Sequence, residues 1–224
     1  ARWYDAHGFG PRAKLHVLWK GVDLATFDAA QAGAAAVRAA LGLRPDELAV
    51  GTVGRLAWQK GIDHLLAAVR LARPRLPRAR FFVIGGGRDA AGVAAAAAAP
   101  ELGGAVTLLG QRDDVPELLA AMDIVVQSSR QEVMAQTTLE AMAAGRAVVS
   151  TRTMGADEAI EDGTSGILVA VGEPAALADA VVALGADPGR RAALGVAARA
   201  RIAAEFTAAR SLDRVEAILR VICG

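Results

Sequence analysis

Short apolar runs, each followed by a stretch of helical period, recur along most of this chain. The runs are LAVGTVG (48–54), RFFVIGGG (80–87), AVTLLG (105–110), DIVVQSS (123–129), RAVVST (146–151) and GILVAV (166–171). They are apolar on successive residues, as strands of a parallel sheet covered on both faces are. After the first run, Ile62, Leu65, Leu66 and Val69 fall at i, i+3, i+4 and i+7, which makes one face of a helix that Pro74 closes. An alanine-rich helix follows the second run as far as Pro100, and VPELLAAM (115–122) carries Pro116 in its first turn. A further helix runs through LEAMAAG, and from Pro174 onward the chain reads as helix over about 174–185, 189–204 and 210–222. The expected fold is α/β, a doubly wound parallel sheet of Rossmann-like type. Such sheets bind ligands beyond the carboxyl ends of their strands, so the residues that follow each strand are where function is sought.

Composition narrows the classes. Over half of the 224 residues are apolar, enough for a sizeable core, and the formal net charge of +1 gives no global attraction to nucleic acid or to a membrane. Alanine and arginine abound while lysine is confined to Lys14, Lys20 and Lys60, which reads as the coding bias of a GC-rich, bacterial source. Cys223 is the sole cysteine, so no intramolecular disulfide and no cysteine-based zinc site can form. With no segment resembling a signal peptide and no apolar run near the ~20 residues that cross a bilayer, the chain reads as cytoplasmic.

After the first strand comes GRLAWQKG (54–61). Lys60 is read at the start of a helix, where the macrodipole already places positive charge and a cation is mildly disfavoured. A bound anion would reverse that sign, since helix N-termini receive phosphates, and Arg55 at the strand end could make a bidentate contact to the same group. A solvated lysine beside a surface arginine is the plainer alternative. Gly54 ends this strand, and Gly85, Gly86 and Gly87 close the next, permitting close backbone approach to a ligand without matching GxGxxG.

The stretch QEVMAQTTLEAMAAGRAVV (131–149) holds Glu132 and Glu140. The preceding strand ends near Ser129, so Glu132 is expected on a loop and Glu140 in the opening turn of the helix. Thr137-x-x-Glu140 also fits a capping box, which would explain Glu140 structurally, and Glu132 alone could be an ordinary loop carboxylate.

Together, GRLAWQKG, FFVIGGG, VTLLGQRDDVPELLAAMDIVVQSSRQEVMAQTTLEAMAAGRAVVST and EAIEDGTSGILV resemble the C-terminal, donor-binding domain of GT-B-fold retaining glycosyltransferases of the group 1/family 4 kind, across roughly residues 15–220. The Glu-x7-Glu spacing followed by A-M-A-x-G-x-x-V-V is the most specific part. The resemblance implies a division into residues 1–27 as an interdomain linker, 28–209 as the nucleotide-sugar-binding domain, and 210–224 as a C-terminal helix returning toward an N-terminal Rossmann domain that this sequence lacks. It implies that Arg55 and Lys60 hold the donor diphosphate without a metal, that Glu140 accepts hydrogen bonds from ribose hydroxyls, and that Glu132 faces the transferred sugar. It further implies that the backbone from Arg112 to Val115 lies beside the base, with Gly54 and Gly86 near the donor. No cofactor is expected beyond a nucleoside-diphosphate sugar as co-substrate, UDP- or GDP-linked; the partners would be that donor, the N-terminal domain, and a glycan or lipid-linked acceptor of the cell envelope. Glycosidases that retain configuration set two carboxyls ~5 Å apart and use one as a nucleophile; this resemblance gives Glu132 a positioning role and no covalent one.

The family pattern is broken in three places. Val133-Met134-Ala135 stands where glycine or proline flanks an aromatic residue or methionine, Ser128 replaces a proline, and Met154-Gly155 replaces a glycine pair. The first departure could narrow the sugar pocket, so a nucleotide-sugar-binding module without transfer is carried as a second function, and a sugar-nucleotide epimerase of the same fold as a third. His7, His16 and His64 are scattered, and His64 is read as structural. The run Arg70, Arg73, Arg75, Arg78 and Arg80 is read as a helix end and solvated loop, ahead of a patch for anionic lipid at the inner face of a membrane.

Overall fold

A computed structural model of the chain describes residues 16–223. Residues 1–15, which include His7 and Lys14 and most of the expected linker, lie outside the described residues. Six parallel strands form one sheet in the order β3-β2-β1-β4-β5-β6: β1 (Leu48–Val53), β2 (Ala79–Ile84), β3 (Val106–Gly110), β4 (Ile124–Gln127), β5 (Ala147–Thr151) and β6 (Ile167–Val169). Each of the six apolar runs is a strand. Because side chains alternate across a strand, Phe82 and Ile84 of β2 enter one core while Phe81 and Val83 enter the other. Along β1, β2, β4 and β5 both faces are therefore dry, which is why these runs show no polar alternation, while the edge strands β3 and β6 are mostly half-buried.

Helices cover the two faces. On one side lie α1 (Leu24–Gln31), α2 (Ala34–Ala40), α5 (Val115–Ala121), α6 (Gln136–Ala143) and α9 (Pro188–Glu205); on the other are α3 (Ile62–Ala72), α4 (Ala90–Ala97) and α8 (Pro174–Ala186). A short α7 (Ala156–Ala159) follows β5, and α10 (Ala208–Cys223) ends the described chain. In α3, the four residues picked out by periodicity, Ile62, Leu65, Leu66 and Val69, are all buried.

Besides the one-turn α7, two helices are additions to the sequence reading. Both α1 and α2 precede β1, and the expected boundary between residues 27 and 28 falls inside α1, whose Phe27 and Ala30 are buried in the domain. Asp23 caps α1, its Oδ1 accepting from the Ala25 N–H at 3.0 Å. Before α1, Val22 pairs with the turn between α9 and α10: its N–H donates to Phe206 O and its carbonyl accepts from Ala208 N, both at 2.9 Å.

The sheet order reverses between β1 and β4, since β1 connects outward to β2 and β3 while β4 begins the opposite wing. The loops leaving two neighbouring strands there diverge to opposite faces and leave a crevice between them. Of the candidate residues, Arg55 and Lys60 follow β1 and Glu132 follows β4.

Candidate functional site

Beyond the carboxyl ends of β1, β4 and β5 lies a groove of about 820 Å³ lined by Arg55, Trp58, Gln59, Lys60, Arg130, Gln131, Glu132, Val133 and Arg152 to Met154. Three of the four principal candidates, Arg55, Lys60 and Glu132, are thus brought together. Glu140 and Val115 line a neighbouring groove of about 460 Å³, with Val53 of β1 and Gly21 to Asp23 of the segment before α1.

Lys60 does not begin the helix, as the sequence suggested. It ends a 3-10 turn, Trp58–Lys60, and Gly61 then caps α3 with φ 60°. A Cβ on Gly61 would stand 2.2 Å from the Ser128 carbonyl oxygen, so both the backbone angle and the space call for glycine. Lys60 Nζ donates to Glu132 Oε2 at 2.5 Å, and both side chains are largely covered, at 16% and 21% exposure. Arg55 is exposed at the groove rim and engages no carboxylate among the described residues.

The turn is tied down from β4. Ser128, buried where the family pattern has a proline, donates from Oγ to the Lys60 carbonyl at 3.1 Å. Arg130 N–H donates to Gln59 O at 2.8 Å, and its guanidinium donates to Trp58 O at 2.9 Å and to Asp63 Oδ1 at 2.7 Å. The same group donates to Asp63 Oδ2 and sits 5.2 Å over the Trp58 ring. The Arg130 hydrogen bonds hold the Asp63 carboxyl below the usual carboxylate range. His64 Nε2 lies 3.0 Å from Arg130 Nη2 and must accept there, which leaves the proton on a buried Nδ1 with no partner. His64 is accordingly part of this scaffold, as the sequence reading held.

A buried polar chain fixes the Glu132 loop. Gln127 Nε2 donates to Ser129 Oγ at 2.6 Å, Thr151 Oγ1 donates to Ser129 O at 2.6 Å, and Thr137 Oγ1 donates to Gln127 Oε1 at 3.2 Å. That last bond displaces the expected capping box. Ala135 is the N-cap of α6, so Thr137 sits within the helix and Glu140 in its second turn. The Glu140 carboxyl is half-buried, and desolvation pushes its pKa up against smaller opposing effects of a hydrogen bond from Gln136 and the charge of Lys20.

Other candidates are placed differently. Gly86 lines neither groove; its carbonyl accepts from Leu56 N at 2.9 Å where the loops after β1 and β2 cross. Gly54 lies against the Lys60 stem. Arg112 is clamped to Asp114 at 2.7 and 2.6 Å and points no free charge at either groove. Asp123 is structural: its Oδ2 accepts from Ala49 N at 2.7 Å and from Arg38 at 3.0 Å. Of the basic run, Arg75, Arg78 and Arg80 face Asp179, Asp46 and Glu47 at 2.5, 2.9 and 4.0 Å, so most of its charge is answered. Sequence reasoning assigned no role to Trp58, Arg130, Arg152 or Gln127. Arg130 stands beside Glu132 in the sequence, but its partner Asp63 is 67 residues away, so only the fold joins them.

Val133 and Ala135 adopt ordinary backbone conformations, for no non-glycine residue among those described has a positive φ. Val133 is 71% exposed at the groove wall. The loop is held instead from Gly155, where a Cβ would come within 1.6 Å of the Val133 carbonyl oxygen.

Residues 47–187 match the family described as Glycosyl transferases group 1. Among curated proteins, the chain is 33% identical over 229 residues to alpha-maltose-1-phosphate synthase of Mycolicibacterium smegmatis, covering 93% of this chain and 57% of that protein. It is 36% identical over 226 residues to D-inositol 3-phosphate glycosyltransferase of Mycobacterium ulcerans, covering 95% of this chain and 46% of that one. Among solved structures, Anabaena HepE in complex with UDP-glucose superposes with a TM-score of 0.83 at 26% identity, covering 96% of this chain and 59% of that one. The chain thus spans about half the length of the curated relatives it matches.

Proposed function

The chain belongs to the group 1 glycosyl transferases, and from that premise we propose that it is the donor-binding half of a retaining enzyme that moves a hexose-type sugar from a nucleoside diphosphate to a glycan or lipid-linked acceptor. The observation that carries this reading is the meeting of Arg55, Lys60 and Glu132 in one groove at the point where the strand order reverses, with Glu140 in the groove beside it. In this reading Arg55 and Lys60 meet the diphosphate and neutralise the charge that grows on it as the glycosidic bond breaks, an electrostatic stabilisation aimed at the leaving group. Glu132 is placed beside the sugar, acting by position and charge, and pairs with Lys60 until a diphosphate takes its place. The partly desolvated Glu140 accepts from ribose hydroxyls, and Val115 borders the base. HepE with UDP-glucose bound supports a uridine donor.

The acceptor side belongs, in this proposal, to an N-terminal domain of the same protein, and α10 would meet that domain. Leu212, Leu219, Val221 and Ile222 of α10 are exposed, which suits a surface awaiting a partner. A chain without that domain is expected to bind nucleotide and to transfer nothing, because the cleft cannot close.

Calorimetry of the chain with UDP, GDP and ADP tests the assignment. Arg55→Ala and Lys60→Ala should each weaken the preferred diphosphate by ~1.5–3 kcal/mol, the scale of a hydrogen bond to a charged group, while the matching nucleoside binds almost as before. Equal losses for both ligands would place the phosphates elsewhere.

A further inference from the structure

We propose that Arg130 is a positioning residue for the donor diphosphate, a brace that holds the Trp58–Lys60 turn so that Lys60 and Arg55 face one anion. The inference rests on the donor-site reading above and assigns work to a residue that the reading leaves aside.

Arg130 has the position of a phosphate ligand but not the free valence of one. It lines the groove with Lys60, yet its side chain is only 16% exposed. Nη1 is committed to Trp58 O and Asp63 Oδ1, and Nη2 to Asp63 Oδ2 and His64 Nε2. A guanidinium offers five N–H donors in a fixed fork. Four contacts to the turn and to α3 leave little for a ligand, and the bidentate Asp63 pair cancels the charge. Every partner lies within seven residues of the others, at Trp58, Gln59, Asp63 and His64, whereas Arg130 itself extends from β4. One side chain thereby ties the loop after β1 to the loop after β4 across the crevice. Trp58 is 55% exposed, so burial of its ring does not hold this turn; beside the Ser128 bond to Lys60 O and the backbone bond to Gln59 O, the guanidinium over the ring and its bond to the Trp58 carbonyl do.

Brace and ligand predict opposite signs for one substitution. Asp63→Asn removes the partner that orients Arg130. If Arg130 is a brace, the turn loosens and UDP binding weakens about as much as in Arg130→Met, by roughly fivefold to tenfold, as a misaligned charge-assisted contact would. If Arg130 binds phosphate directly, Asp63→Asn frees a cation and UDP binds more tightly, which overturns the proposal. Arg130→Lys keeps the charge and loses the fork, so it should behave like Arg130→Met; recovery of wild-type affinity by lysine also overturns it. Uridine affinity should stay level in all three variants, and a parallel loss for uridine would make the residue a general support of the fold.

Amide hydrogen exchange of the same chain, without ligand, gives an independent readout. Arg130→Met should speed exchange at Lys60 and Gly61, whose N–H groups bond Ala57 O and Trp58 O at 2.8 and 3.1 Å. The amides in the later turns of α3 should keep their protection. Unchanged exchange at Lys60 and Gly61 refutes the brace. If the unaltered chain binds none of the three diphosphates, the donor reading fails, and the exchange experiment still decides whether Arg130 holds the turn.

Discussion

Replacing Glu132 by glutamine removes a charge and keeps the shape, and the ion pair it breaks sets the size of the effect. Lys60 and Glu132 meet at 2.5 Å with 16% and 21% of their side chains exposed, so this pair is not one that solvent screens away. The lysine stem can still turn its ammonium toward water, which places the loss at the low end of the range for bonds to charged groups, about 1.5 kcal/mol. For a domain of this length that corresponds to a fall in Tm of roughly 3–6 °C. Diphosphate binding should move the other way. In the unliganded chain Lys60 is engaged by a carboxylate that a bound anion must share or displace, and the carboxylate repels that anion. Removing it returns about 1.4 kcal/mol to the anion, a tenfold gain in UDP affinity. Saturating UDP should then narrow the Tm gap between the variant and the unaltered chain, since a ligand adds stability with the logarithm of its concentration over Kd. Differential scanning calorimetry with and without UDP, paired with isothermal titration, measures both. A variant that is as stable as the parent and binds UDP less tightly would mean that Glu132 supports the nucleotide directly and that its bond to Lys60 contributes nothing.

Two further substitutions separate site from scaffold. Burial raises the Glu140 pKa above its ordinary value, so the folded state holds that proton more tightly than the unfolded chain does, and stability falls as pH rises from the ordinary carboxylate range through the raised value. Glu140→Gln should therefore raise Tm at pH 7, with the gain fading toward pH 4, while nucleoside affinity drops; a pH-independent Tm difference would contradict the desolvation argument. Gly61→Ala forces a side chain into φ 60° and to within 2.2 Å of the Ser128 carbonyl oxygen, and should cost about 2–4 kcal/mol of stability in denaturant titrations. An unchanged midpoint would show that the turn after β1 shifts freely.

What the sequence revealed, and what it withheld, follow from the same physics. The four inner strands were legible because burial on both faces leaves unbroken apolar runs, the half-buried edge strands β3 and β6 because their runs are apolar as well, and α3 because its apolar face is periodic. The helices α1 and α2 were not: LATFDAAQ is short and buries only Phe27 and Ala30, and AAAVRAA is mostly alanine and buries none of its residues, so no apolar period marks either. The capping box at Thr137 and Glu140 failed for a reason beyond local spacing: the Thr137 hydroxyl is taken by Gln127, ten residues earlier on β4. Pairwise facts of this kind, including Lys60 with Glu132 and Arg130 with Asp63, span 72 and 67 residues and need the fold. The departure at Val133 and Ala135 raised the question of a narrowed sugar pocket; the backbone is ordinary at both, Val133 is largely exposed at the groove wall, and the position in this loop's packing that admits no Cβ is Gly155.

The source of the proposed anion attraction also changes once the geometry is known. Sequence spacing put Lys60 on a helix N-terminus and invited a dipole argument. In the fold, Asp63 occupies the first turn of α3 and already complements that dipole, and Arg130 in turn complements Asp63. Arg152 is answered by Asp157 and Asp162. In the proposed site a diphosphate would meet two side chains in different environments, Arg55 exposed and without a carboxylate partner among the described residues, and Lys60 covered and shared with Glu132. Salt distinguishes them, because the Debye length contracts from about 10 Å at 0.1 M to about 3 Å at 1 M and screens exposed charges far more than covered ones. UDP affinity should therefore weaken with added salt in the unaltered chain and in Lys60→Ala, and lose most of that dependence in Arg55→Ala. A titration series across that range reads the slopes directly. Should Arg55→Ala keep the full slope, the screened charge is another one, and the groove rim has been assigned to the wrong cation.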